Sequence, residues 1–77
     1  MVIYSQEVGK VNNKIRETIK NKGLKIIYVV EKTGISKSHF YDIMNGKAVP
    51  SLKNAAKISE TLKVPLTELF PDLFKEE

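Results

Sequence analysis

The chain has 77 residues, with 13 Lys and Arg against nine Asp and Glu and a net charge of +4, and this length favours one small domain. The absence of Cys and the single His argue against disulfides and against zinc sites built from Cys or several His. No apolar run approaches the roughly 20 residues that span a bilayer, and the first residues do not resemble a signal peptide. We therefore expect a cytoplasmic domain with no cofactor, small-molecule ligand or membrane partner.

The charge is unevenly distributed along the chain. Residues 10–57 contain 11 Lys and Arg against three acids, a net charge of +8, whereas residues 58–77 contain two against five, a net charge of −3. A basic body with an acidic end suits a protein that binds a polyanion on one side. A basic surface that is only solvated is the alternative.

The first predicted helix is defined by apolar residues three and four positions apart, which share one helix face. These residues are Val8, Val11, Ile15 and Ile19. Either Ser5 or Asn12 is a candidate N-cap. Lys22 and Gly23 predict the end of the helix, with Gly in the left-handed position that follows a last turn.

Residues 24–30 support two interpretations. The segment is rich in β-branched and aromatic residues, which favours a strand. A helix is the better interpretation because no second strand is available to satisfy the backbone of the first. The segment also continues to Gly34, a typical helix end. We therefore predict a second helix that ends at Gly34.

The third predicted helix spans residues 37–45. Ser36 is a strong N-cap, and Asn45 with Gly46 ends the helix because both residues tolerate the left-handed conformation. The short turn at Gly34 brings the second and third helices together with their apolar residues facing each other. The structural core of this pair is predicted to be Val29, Val30, Gly34, Ile35, Phe40 and Ile43.

Two further helices are predicted after Pro50, which bars continuation of the third. Ser51 caps the fourth helix, and Pro65 ends it. Its inner face is predicted to consist of Leu52, Ala55, Ile58, Ser59 and Leu62. A short fifth helix with Leu66, Leu69 and Phe70 ends at Pro71.

The predicted fold class is therefore all-α, a compact bundle of five short helices in which the second and third form a helix-turn-helix. Residues 1–77 form one domain, with a core at 11–70, a tail at 71–77, and an N-terminal arm or first-helix extension at 1–10. The outward face of the third helix is polar. A short polar face on a rigidly held helix is what reading base edges in a major groove requires.

The order and spacing of several motifs in residues 11–70 resemble the lambda-repressor-like, Xre-type helix-turn-helix domains of bacteria and their phages. Each motif is weak alone, whereas their order and spacing together are specific. The motifs are Lys14-Ile15-Arg16, Lys22-Gly23-Leu24, Glu31-Lys32-Thr33-Gly34-Ile35-Ser36, Ile43-Met44-Asn45-Gly46-Lys47, Pro50-Ser51-Leu52, Lys57-Ile58, Leu62, Val64 and Leu69-Phe70.

The resemblance implies that Lys37, Ser38, Tyr41 and Asp42 read DNA bases. Lys37 would donate to guanine O6 and N7, and Ser38 could pair with several bases. Tyr41 would pack on a thymine methyl group or donate to phosphate. Asp42 would accept from cytosine N4, or would only orient Ser38, since its charge repels phosphate. The alternative for all four is a solvated helix face.

The resemblance also implies contacts with the DNA backbone from the turn before the second helix and from the loop after the third. The residues are Lys22, Lys25, Asn45, Lys47 and Ser51. Asn45 as helix terminator and Ser51 as helix cap have local roles as well, and both roles can hold at once.

Three positions depart from the family pattern. Lys25 stands where Ser or Thr usually caps the second helix, and Ile26 stands where a Gln usually contacts or supports the DNA interface. Val30 replaces a usual Ala at the close crossing of the two helices. The second helix should therefore lack its usual cap, Lys25 becomes a substitute phosphate contact, and the family's Gln contact cannot form.

Two features remain. His39 is interpreted as a surface residue or an outer contact with the DNA backbone. No Ser, His and acid set or carboxylate pair can be argued to converge, so we expect no enzyme. The apolar C-terminal segment either closes the core through Leu69 and Phe70 or contributes a dimer seam. The seam candidates are Leu66, Leu69, Phe70, Leu73 and Phe74.

The sequence thus predicts a sequence-specific, double-stranded-DNA-binding transcriptional regulator, a dimeric repressor on a near-palindromic operator. It would be bacterial or phage-encoded and associated with the nucleoid when bound. The alternative is an antitoxin-like or adaptor protein–protein interaction module on the same fold, with weak or no DNA binding. The missing Gln and the presence of Asp42 favour that alternative, whereas the +8 body argues against it.

Overall fold

The computed structural model describes residues 13–73, which form five helices and no strand. In chain order these are α1 Ile15–Asn21, α2 Ile26–Thr33, α3 Lys37–Met44, α4 Leu52–Leu62 and α5 Leu66–Leu69. The predicted all-α class, with α2 and α3 as a helix-turn-helix, is confirmed. Among the described residues, no helix is long and apolar enough to cross a membrane.

The α1 helix starts at Ile15, whose backbone N–H donates to the side-chain Oδ1 of Asn13 at 3.0 Å. Past its end, Gly23 is left-handed with φ 69°, as predicted. Several predictions fall outside the described residues, namely the arm at 1–10, the apolar positions Val8 and Val11, the candidate caps Ser5 and Asn12, and the seam candidate Phe74.

The turn between α2 and α3 is closed by several hydrogen bonds. The α2 helix begins at Lys25 without a side-chain cap, as expected, and ends at Gly34, which has φ 74°. The Gly34 N–H donates to the Val30 carbonyl at 3.1 Å. The buried Thr33 hydroxyl donates to the same carbonyl at 3.0 Å and accepts from the Ile35 N–H at 3.3 Å. These bonds fix the direction of α3 relative to α2.

Serine side chains cap the next two helices, as predicted. Ser36 accepts from the His39 N–H at 3.3 Å at the start of α3. Ser51 accepts from the Asn54 N–H at 3.1 Å at the start of α4. Each bond satisfies one of the backbone donors that a helix N-terminus leaves without an internal partner.

The end of α4 and the short α5 are tied to the rest of the fold by backbone groups. Lys63 ends α4 in the left-handed conformation, with φ 60°, and the Ser59 hydroxyl donates to the Val64 carbonyl at 2.6 Å. The Lys14 N–H donates to the Leu69 carbonyl at 2.9 Å. The end of α5 is therefore fixed against the start of α1.

All five helices contribute to one core. The α2 helix contacts both α3 and α4, and α5 contacts α4. Every apolar residue predicted to lie between α2 and α3 is buried. The core residues are Ile15, Ile19, Val29, Val30, Ile35, Phe40, Ile43, Met44, Ala55, Ile58, Leu62, Leu69 and Phe70.

The expectation for Leu52 is wrong, and of the two alternatives for Leu69 and Phe70 the structure shows closure of the core. Leu52 was expected on the inner face of α4, but it is 66% exposed, and Pro50 just before the helix is buried instead. Leu69 and Phe70 were seam candidates, but both are fully buried. Because α5 has only four residues, its last residue and the Phe that follows it are both needed to close the core. Neither can contact a partner subunit in this fold.

Candidate nucleic-acid interface

The α3 helix has two distinct faces. Phe40 and Ile43 are fully buried and hold the helix against the core. Lys37, Ser38 and Asp42 are exposed. The eight-residue helix therefore has one polar face exposed to solvent. Three of the four predicted base-reading side chains lie on this face. We call α3 the reading helix.

Tyr41, the fourth predicted base-reading residue, does not lie fully on that face. It is half-buried and packs against the core. The physical reason is its position one residue after Phe40, because successive helix residues are rotated by about 100° and Tyr41 therefore flanks the buried stripe. Only part of the Tyr41 side chain is available to DNA. His39 is half-buried as well.

Both ends of the reading helix are held by polar contacts. The Ser36 cap fixes the first turn. At the other end, the side-chain Nδ2 of Asn13 donates to the Ile43 carbonyl at 2.9 Å, which joins α1 to the last turn of α3. Beyond this turn, the Asp42 carbonyl accepts from the Lys47 N–H at 2.8 Å. A helix fixed at both ends can present side chains to base edges in one orientation.

The five residues predicted to contact the DNA backbone are all exposed. Lys22 and Lys25 flank the turn between α1 and α2, while Asn45, Lys47 and Ser51 border the loop between α3 and α4. Ser51 also begins the 11-residue α4, whose N-terminal amides can bind an anion. The two groups of backbone candidates thus come from the segments on either side of the helix-turn-helix.

The charge of these lysines is not neutralised locally. Lys22, Lys25, Lys37 and Lys47 form no ion pair with an acidic residue of the described part of the chain. Their positive charge remains available to a polyanion.

Sequence reasoning missed two residues beside the reading helix. The Arg16 Nη2 donates to the Asn45 Oδ1 at 2.7 Å, and Asn13 contacts Ile43 as described. Both contacts join α1 to the end of α3 over about 30 residues of sequence. No local pattern in the sequence marks either contact, because each one joins the start of α1 to residues about 30 positions away.

Two further features of the described surface bear on a metal site and on a ligand groove. Among the described residues, no group of His, Cys, Asp or Glu could hold a metal ion. Two adjoining open grooves, each of about 350 Å³, lie between α2 and the end of α4. The Lys32 ammonium lies 5.9 Å from the centroid of the Tyr28 ring at this place. The grooves are lined by Lys22, Leu24, Tyr28, Lys32, Glu60, Thr61, Leu62 and Lys63.

A protein-family profile described as a helix-turn-helix domain matches residues 12–71. The chain belongs to this family. The match agrees with the resemblance to lambda-repressor-like domains and covers the reading helix together with both backbone-contact segments. Comparisons with curated proteins and with solved structures gave no match.

In helix-turn-helix domains that bind DNA, the second helix of the motif lies in the major groove, and its N-terminal residues contact base edges. In this domain the corresponding positions are Lys37 and Ser38, both exposed in the first turn of α3. The structure therefore exposes the two positions that correspond to base-contacting positions in such domains.

Proposed function

We propose that this helix-turn-helix domain is a sequence-specific regulator of transcription that binds double-stranded DNA through α3, as a dimeric repressor on a near-palindromic operator. The observation that carries the proposal is the exposed polar face of a helix that is fixed at both ends. Lys37 and Ser38 at its N-terminal end read bases, and Asp42 accepts from cytosine N4 or orients Ser38. Tyr41 contributes the part of its side chain that is not packed on the core.

Contacts with the DNA backbone supply most of the affinity in this proposal. Lys22 and Lys25 bind phosphates on one side of the reading helix. Lys47, Asn45 and the N-terminus of α4 at Ser51 bind them on the other. Support comes from the exposure of all five residues and from the lack of an ion pair between Lys22, Lys25 or Lys47 and an acid of the described residues.

The dimer is proposed because one reading helix covers few base pairs and gives little selectivity in a genome. Two copies related by a two-fold axis would place their reading helices about 34 Å apart, one turn of DNA. With Leu69 and Phe70 buried, the candidates for the seam are Leu66 and Leu73, together with Phe74 outside the described residues. Leu73 is 39% exposed and is the best placed of the described candidates.

The competing function is a protein–protein module on the same fold. The observation that favours it is the pair of apolar residues exposed on α2, Ile27 and Tyr28, which are 47% and 44% exposed. The absence of the family's usual Gln at Ile26 also favours it, since Ile26 instead packs partly against the core.

Salt-titrated binding to random duplex, followed by selection of preferred sites, separates the two functions. Each neutralised phosphate contributes about −0.9 to the slope of log K against log salt. A dimer that uses the contacts named above should give a slope of roughly −4 or steeper, and selection should yield a site with two-fold symmetry. A slope near zero, or no binding at low salt, would reject DNA binding in favour of the protein–protein module.

A further inference from the structure

Arg16 lies beside the C-terminal end of the reading helix, although it belongs to α1. Its Nη2 donates to the Oδ1 of Asn45 at 2.7 Å. Asn45 is the residue that ends α3, and both side chains are exposed. The pair therefore lies on the surface, next to a loop whose residues are proposed to follow the DNA backbone.

The position of Arg16 is fixed by more than this one bond. Asn13 lies just before α1, and Arg16 lies in the first turn of that helix. Asn13 donates to the Ile43 carbonyl, and Arg16 donates to the side-chain oxygen of Asn45. Both bonds therefore stabilise the C-terminal end of the reading helix. On the opposite side of α1, Ile15 is fully buried. The guanidinium is thus placed relative to α3 by the burial of Ile15 and by the two hydrogen bonds from the start of α1.

The chemistry of the pair leaves Arg16 able to bind a second group. A guanidinium carries five N–H donors, and Asn45 uses one of them through a neutral oxygen. The positive charge remains uncompensated, because Arg16 forms no ion pair with an acid in the described part of the chain. Two of the remaining donors can bind two phosphate oxygens in parallel, which a lysine cannot do.

We propose that Arg16, held in place by Asn45, binds a DNA phosphate at the C-terminal end of the reading helix and thereby sets how α3 lies in the groove. This inference rests on the proposed function, since it names one further contact of the same interface. It assigns to α1 a direct role in DNA binding, and it assigns to Asn45 a role through Arg16 in addition to its own contact with the backbone.

The test compares the salt dependence of duplex binding in variants of the full chain. Arg16→Ala should make the slope of log K against log salt less steep by about 0.9 for each bound copy. With this slope, the contribution of the contact to the binding constant is about eightfold larger at 0.1 M salt than at 1 M salt for each copy. Arg16→Lys should restore the slope, because the charge is kept. It should restore only part of the affinity, because an ammonium cannot bind two phosphate oxygens in parallel as a guanidinium can.

Lys63→Asn is the matched control. It removes the same charge from an exposed residue at the far end of α4, roughly 18 Å along the helix from Ser51. Asn tolerates the left-handed conformation that Lys63 adopts, so the backbone is kept. This variant should have the wild-type slope and affinity.

Asn45→Ala tests the positioning. It leaves the charge of Arg16 unchanged, so the slope should stay close to that of the wild type while the affinity falls. In the Arg16→Ala background the same change should have a smaller effect, because the partner that Asn45 positions is already absent. Equal effects in both backgrounds would overturn the positioning role of Asn45.

Urea unfolding of every variant gives the folded fraction by which binding is corrected. If Arg16→Ala then matches the wild type in slope and affinity, Arg16 only joins α1 to α3 and the inference is wrong. That result leaves the proposed function intact, provided that the wild type itself binds with a steep slope. A wild-type slope near zero would instead reject the proposed function and this inference with it.

Discussion

The rotation of the reading helix can be tested by the substitution Phe40→Ala. Phe40 is fully buried, on the side of α3 opposite the exposed Lys37 and Ser38. Truncating a buried Phe to Ala costs about 3–5 kcal/mol, since both the transfer free energy and a cavity contribute. A chain of this length has a total unfolding free energy of about 4–12 kcal/mol. The substitution should therefore remove a large part of the stability, up to all of it.

Urea unfolding followed by circular dichroism measures the effect. With a slope of about 1 kcal/mol per molar urea, as for the smallest domains, the midpoint should fall by roughly 3 M or more. Ser38→Ala is the control on the same helix. Because Ser38 is exposed, its substitution should change the unfolding free energy by no more than about 0.5 kcal/mol.

The outcome also bears on specificity. Any folded fraction of Phe40→Ala should prefer the same bases as the wild type, because Phe40 does not face the groove. A protein that stays stable after Phe40→Ala but selects different sites would refute the reasoning. It would mean that the face of α3 assigned to the core is the face that contacts DNA.

Three further predictions concern base recognition, the turn between α2 and α3, and the dimer seam. Lys37→Ala should relax the preference at one operator position, at a cost of about 1–3 kcal/mol, whereas Lys47→Ala should weaken all duplexes alike; equal losses on all sequences in competition binding would make Lys37 a phosphate contact only. Gly34→Ala should cost about 1–2 kcal/mol in thermal unfolding from the left-handed backbone alone, since the added Cβ meets no atom within 4 Å, and Gly34→Asn should cost less. Leu73→Asp should give a folded monomer in sedimentation with much weaker operator binding, and an unchanged dimer would locate the seam elsewhere.

Local signals in the sequence were sufficient for most of the fold. The two serine caps and the glycines after α1, α2 and α3 act on neighbouring backbone groups, so their effect can be read from a few residues. The α2 helix shows where local propensity alone fails. Its β-branched residues favour a strand, yet it is helical, because Val29 and Val30 can be buried against α3 and α4 only on a helix. Tertiary packing outweighed the local preference.

Sequence prediction was wrong or undecided where the spacing of apolar residues had to show where the core ends. Leu52 fits the apolar spacing of α4, but the spacing does not tell where along the helix the core ends. The same limit applies to Leu69 and Phe70, whose apolar character is equally compatible with a core and with a seam. Only the shortness of α5 decides between them, and helix length is a feature that the surrounding packing sets.

The candidate site was predictable in its local part and not in its long-range part. The exposed residues of α3 follow from the positions of Phe40 and Ile43 on the same helix. The bond between Arg16 and Asn45 joins two helices that are distant in sequence, and no local pattern marks either residue as the partner of the other. Tyr41 lies between these cases, because its position at the edge of the buried stripe allows either environment.

The hydrogen bond between Lys14 and Leu69 joins the two ends of the described chain. Together with the bond between Asn13 and Ile43, it makes the start of α1 a common support for α3 and α5. Contacts between such distant residues carry a loop-closure entropy cost, which is smaller when the intervening helices have already formed. Loss of order at the start of α1 would therefore remove hydrogen-bonded support from the last turn of α3 and from the end of α5 at the same time.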